Sequence, residues 1–334
     1  MEIDTQGEGP SRSPKPHETL WFFDGNIVLV TDTYLFKVHK GLLALHSCVF
    51  RDMFDVPGAD EANAEEGSAG KHQEMYEGIP SVKLVGDEGE DVAHLLRTIY
   101  EHRYYDPSND ETPVDTITAL LTLSTKYDFK NIRKDVITHL SRHYPMTLKE
   151  YDLVSKDLSA QVFGEDIATR SIPLLKAAFS ANVEFLLPAL FFASSDINTK
   201  AIFRLDLTPE CLRTLMCGRI LLDNKLAKFI SNLPEDLIKL QKIAKEEDWC
   251  RRTKLCLETS HYRQLSELID VVFSHTSGEE LMNHHLTNIC MFCRPFVVKS
   301  IDEKRAKIWD EVPGCFGLSK WDVLRAQLKD AIQA

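Results

Sequence analysis

Between Asn26 and Val38 the apolar residues follow the spacing of β-strands, and from Leu42 onward they follow the spacing of helices. This switch does most to limit what the chain can fold into. Asn26-Ile-Val-Leu-Val-Thr31 is almost continuously apolar, as expected of a strand buried on both faces. Thr31-Asp-Thr33 is a turn signal, and Tyr34-Leu-Phe-Lys-Val38 alternates like a return strand. Leu42, Leu43 and Leu45 then open one short helix. Ser47 is placed to cap a second, with Val49, Phe50, Met53 and Phe54 at helical spacing. A hairpin that feeds straight into helices implies an α+β arrangement.

The pattern continues in the same sense. Ser81 to Val85 reads as a third strand, and Glu90 to Tyr100 as an amphipathic helix. Val114 to Lys126 and Phe129 to His143 read as two further helices, split at Tyr127-Asp128. Residues 57–77 are Gly-, Ala- and acid-rich at their start and read as a solvated loop insertion. Residues 1–20 are polar, carry three prolines and have no apolar core, so a disordered arm is expected and no signal peptide. From about residue 145 to 334 the periods are helical, with no convincing strand. Helices are expected at 148–155, 171–181, 209–230, 236–249, 265–273 and 319–334. The 334 residues therefore divide into an arm (1–20), an α+β domain (21–144) and an all-helical region (145–334).

Charge narrows the partners. There are 39 Lys and Arg against 51 Asp and Glu, a net charge of -12, so no basic face for nucleic acid is expected. No apolar run approaches the roughly 20 residues of a membrane span. A cytoplasmic or nuclear location is expected, where the eight cysteines would be thiols or metal ligands.

The residues at the joints resemble the BTB/POZ family over about Phe22 to Arg142. The string is Phe36-Lys-Val-His39-Lys40, Leu42-Leu43, then Ser47-x-Val49-Phe50-x-x-Met53-Phe54. Pro80-Ser-Val-Lys-Leu84, Leu95-Leu96-x-x-Ile99-Tyr100 and Ala119 to Tyr127 follow in the family's order. Tyr144-Pro-Met-Thr-Leu-Lys-Glu-Tyr-Asp152 is similar to a joint found in fungal BTB proteins. So is the C-terminal set of Cys290-x2-Cys293, Arg305, Trp309, Glu311-Val-Pro313, Phe316-Gly-Leu318 and Trp321. Trp309, Phe316, Leu318 and Trp321 are expected to close a C-terminal core.

The resemblance implies a protein–protein interaction module, commonly a homodimer that packs its first helices together and exchanges an N-terminal strand. Trp21, Phe22 and Phe23 are the candidates for that strand, with folding back onto their own core as the alternative. Many members pair an Asp at the start of the first strand with a basic residue after the strand-end His. Here those positions hold Asn26 and Lys40, with Asp24 two residues earlier. The resemblance also implies recruitment of a cullin-3 ubiquitin-ligase scaffold through a hydrophobic-x-Glu motif, for which Met75 and Glu77 are the candidates; an ordinary loop end is the alternative.

The expected function is a non-enzymatic adaptor that joins itself, cullin-3 and a client protein. A transcriptional or chromatin co-regulator acting through partners is the alternative. No nucleotide-binding, metalloprotease or nucleophile-elbow motif is present. No cofactor is expected, with one exception. Cys290 and Cys293 have the spacing of half a zinc site, which would need two more ligands from among Cys250, Cys256, His261, His284 and His285. Buried thiols packing the helical region are the alternative reading.

Overall fold

A computed structural model describes residues 13–55, 74–155, 161–195, 197, 202, 206–246, 250, 256, 261–262 and 276–333. The chain divides into two compact units, Met1–His139 and Leu140–Gln333.

The first unit is built on a five-stranded mixed sheet. Its strands are β1 (Lys15–Trp21), β2 (Ile27–Val30), β3 (Tyr34–Val38), β4 (Met75–Tyr76) and β5 (Ile79–Lys83). Their order across the sheet is β1-β3-β2-β5-β4. β2 and β3 form the expected hairpin, with Val30 opposite Leu35. Its turn is closed by Thr31, whose hydroxyl accepts the Tyr34 N–H at 3.0 Å. β5 lies parallel to β2, with Leu29 opposite Val82. It begins two residues before the expected third strand, because Glu77 and Gly78, both at positive φ, turn β4 back onto Ile79. Part of the expected loop insertion is thus a strand, at Met75–Tyr76; residues 57–73 lie outside the described residues.

The N-terminal arm also needs correction. Residues 1–12 lie outside the described residues, but Lys15–Trp21 is a strand, parallel to β3 and paired within its own chain. The open edge of β3 takes up this segment, and the Phe22 N–H donates to the Lys37 carbonyl at 2.9 Å.

Helices α1 (Lys40–His46), α2 (Cys48–Asp55), α3 (Gly89–Tyr100), α4 (Val114–Lys126) and α5 (Lys130–His143) complete the α+β layer. Ile27, Val28, Leu29, Phe36 and Val38 are buried under them. Ser47 joins α1 to α2 and to the core. Its oxygen accepts the Phe50 N–H at 2.9 Å, and its hydroxyl donates to the Tyr127 carbonyl at 2.5 Å. Phe50 stacks on Tyr127 at 4.7 Å. Gly89 is required where α3 starts, because a Cβ there would lie 2.1 Å from the Thr33 hydroxyl.

The second unit contains α6 (Leu148–Ser155), α7 (Ile167–Ser180), a 3-10 turn (Glu184–Leu186), α8 (Leu187–Ser194) and α9 (Pro209–Glu246). It ends with β6 (His261–Tyr262), α10 (Gly278–His284), β7 (Leu286–Thr287), α11 (Arg294–Cys315) and α12 (Trp321–Gln333). All eight residues of α8 are buried. α7 starts four residues earlier than expected, because the Asp166 carboxylate accepts the Thr169 N–H at 2.8 Å and caps it.

Two expectations fail here. The helices expected at 209–230 and 236–249 are one 38-residue helix that passes through Pro234. Proline removes one backbone bond, yet Leu226, Phe229, Ile230, Leu233 and Leu237 form one buried stripe across it. That continuous packing offsets the missing bond. The region is also not purely helical, since β6 and β7 pair antiparallel, with Tyr262 opposite Leu286. Strands of two residues leave no periodicity to read. The helix expected at 265–273 lies outside the described residues.

Candidate functional site

In the first unit the candidate partner-binding residues gather around the junction of β3 and α1. His39 ends the strand, and its backbone N–H donates to the Tyr100 hydroxyl at 2.9 Å. Its Nδ1 lies 3.2 Å from the same hydroxyl, and its Nε2 lies 3.3 Å from Asp24. Burial pushes the Tyr100 hydroxyl above the usual phenol value, so it stays protonated as a hydrogen-bonding partner. His39 therefore fastens a joint, as its position between strand and helix suggests. Asn26 does meet residue 40, but it accepts the Lys40 backbone N–H at 2.8 Å. The Lys40 ammonium lies 5.9 Å over the Phe54 ring, and Asp24 meets His39 in its place.

The aromatic triplet is divided. Trp21 sets an edge against Tyr76 at 5.9 Å, and Phe22 stacks on Tyr100 at 4.7 Å. Phe23 alone stays out, 92% exposed. The triplet mostly folds back on its own unit, because two of its rings find aromatic partners there. On α1, Gly41 and Leu45 lie one turn apart on the outer face, and Leu45 is 75% exposed. A Cβ at Gly41 would meet nothing within 4 Å, so this face is open to close approach.

Met75 lies on β4, the edge strand opposite β1, and is 57% exposed. Glu77 occupies the turn after it, at φ 48, and is also exposed. The strand and the turn hold both side chains on the rim of the sheet.

In the second unit, two stretches more than 150 residues apart in sequence meet. Arg305 is 1% exposed and makes two parallel bonds of 2.9 Å to the Asp152 carboxylate. The Trp309 indole N–H donates to the Met146 carbonyl at 3.1 Å, and Trp309 stacks on Trp321 at 5.4 Å. Phe316 is buried against Phe191, with ring centroids 4.8 Å apart. The joint at 144–152 and the C-terminal motif are thus two sides of one packed core.

Cys290 and Cys293 do not stand alone. Cys250 and Cys256 join them, and the four buried sulfurs lie within 4.8 Å of one another. Cys250–Cys256 and Cys256–Cys290 are each 3.7 Å apart. Burial raises the Cys256 and Cys293 thiols above their ordinary value. His284 lies exposed beside Glu280 and outside the cluster; Cys211, Cys217 and Cys315 also lie outside it. The C-x2-C pair was visible as a motif with Cys250 and Cys256 among its candidate partners, but only the fold selects this C-x5-C pair, whose Cys256 lies 34 residues before Cys290, over the histidines.

Residues 22–144 match the family model described as BTB/POZ domain. No curated protein and no solved structure matches the chain. No helix among the described residues is long and apolar enough to cross a membrane.

Proposed function

From the BTB/POZ domain that this chain carries at residues 22–144, we infer that it works as a non-enzymatic adaptor, self-associating through that domain. Domains of this family generally serve protein–protein interaction. The observation that carries the reading is the open outer face of α1, where Leu45 stands exposed next to the gap at Gly41. Phe22 packs on His39, which leads into α1, and the neighbouring Phe23 is a second exposed apolar side chain of this unit. Two copies related by a two-fold axis would bring α1 against α1, with Gly41 allowing the backbones close and Leu45 entering the partner's surface.

A cross-link tests this face directly. Leu45→Cys in a Cys217→Ser background, mildly oxidised, should give a disulfide-linked dimer. Asp322→Cys, on the exposed first turn of α12, should not. Equal cross-linking at both positions would refute the assignment to α1.

The finer role is recruitment of cullin-3. Met75 would act as an apolar anchor at the sheet rim, and Glu77 would orient it. Purified cullin-3 N-terminal region should bind the chain, and Met75→Ala with Glu77→Ala should weaken binding at least tenfold. Binding unchanged in that double variant would remove this role. The client protein would be held by other surfaces of the chain.

A further inference from the structure

We propose that Cys250, Cys256, Cys290 and Cys293 form a closed structural site for one zinc ion. The inference is independent of the adaptor reading, since it concerns other residues and other chemistry. Four thiolates around zinc at about 2.3 Å form a tetrahedron whose edges are about 3.8 Å. The two sulfur–sulfur separations of 3.7 Å match that edge, and all four sulfurs fall within 4.8 Å of one another. A disulfide would need about 2.05 Å, so these are four separate thiols facing one point.

The backbone is shaped to hold them there. The Cys290 carbonyl accepts the N–H groups of both Cys293 and Arg294, at 3.1 and 3.0 Å. That tight turn aims both thiols of the C-x2-C pair the same way. Cys293 is also the N-cap of α11, so the start of that helix fixes its backbone. Cys256 lies five residues before β6 and Cys290 three residues after β7, so the β6–β7 pairing brings them together. Cys250 follows α9 and completes the set.

The donor set decides the ion. Four soft sulfur ligands, with no carboxylate or imidazole among them, suit zinc and not magnesium or calcium. All four are buried and all four corners are protein, so no position is left for water or substrate. The site is therefore structural and not catalytic. Each cysteine would lose its proton to solvent on binding. In that place zinc would tie the end of α9 to the start of α11.

The test uses the full chain, free of any histidine tag and purified under reducing conditions without chelators. Metal analysis should find close to one zinc per chain. A thiol-reactive mercurial should release it in step with four thiols, read by a chromophoric zinc chelator. Cobalt exchanged into the site should give the intense visible bands of a tetrahedral tetrathiolate. Cys256→Ser and Cys293→Ser should each lose most of the zinc, whereas Cys217→Ser should keep it. The wild-type measurements stand even where a variant fails to fold. Zinc near zero in wild type, with no uptake when zinc is added, would overturn the proposal. So would iron in place of zinc, or zinc unchanged in both ligand variants.

Discussion

Replacing Asp152 with Ala removes the partner of a guanidinium that has almost no access to water. Arg305 is buried, and both of its bonds to Asp152 are 2.9 Å long. Removing one member of a buried pair costs about 3–5 kcal/mol, because the remaining charge stays desolvated. Two features place this case at the lower end. Asp152 is 33% exposed, so water can reach the vacated space, and Asp302 remains 3.6 Å from the guanidinium. The expected loss is about 3 kcal/mol, more than a hundredfold in the folding equilibrium. Urea titration with tryptophan fluorescence reads the change where it occurs, since Trp309 and Trp321 are buried and stacked in the same core. Asp322→Ala is the control. It breaks a pair with Arg325 at the surface and should cost less than about 1 kcal/mol. Replacing both partners, Asp152→Leu with Arg305→Met, should recover most of the loss. If Asp152→Ala and Asp322→Ala shift the midpoint equally, the buried pair does not hold the core as argued.

Three further outcomes are expected. Ser47→Ala removes both the cap of α2 and a buried bond to Tyr127, and should cost the first unit about 2 kcal/mol in urea titration; a loss under about 0.5 would contradict the junction. Gly89→Val forces a side chain into Thr33 and Tyr34, and should lower the melting temperature in calorimetry, whereas Gly314→Ala, with open space around it, should not. Burial holds the His94 imidazole below its ordinary 6.5, although Glu90 and Asp115 oppose this and Arg97 adds to it. The unfolded chain therefore takes up that proton first, so His94 contributes stability that is full above 6.5 and lost as the pH falls through the lowered value. Urea midpoints at about pH 7.5 and 5.5 should differ less in His94→Gln than in wild type; an identical difference would remove His94 as the cause.

The first unit was legible because its signals are local. The continuous run of β2, the alternation of β3 and the cap at Ser47 each mark an element within a few residues. What could not be read is long-range. Nothing in Lys15–Trp21 itself says that the edge of β3 is vacant, and nothing near Pro234 says that a buried stripe carries the helix past it. The same holds for the candidate sites. Cys290 and Cys293 stood out by spacing, but their partners are set by a two-residue strand pairing too short to leave a pattern. Asp152 and Arg305 each sat in a recognisable motif, and only the fold joins them.

Self-association through α1 is the central claim, and sedimentation equilibrium of the full chain at micromolar concentration tests it most directly. The expected mass is twice the 38.1 kDa of one chain, returning to one chain when Leu45 and Phe23 are both changed to Asp. A wild-type mass of 38.1 kDa across that range, or a dimer indifferent to both substitutions, would contradict it.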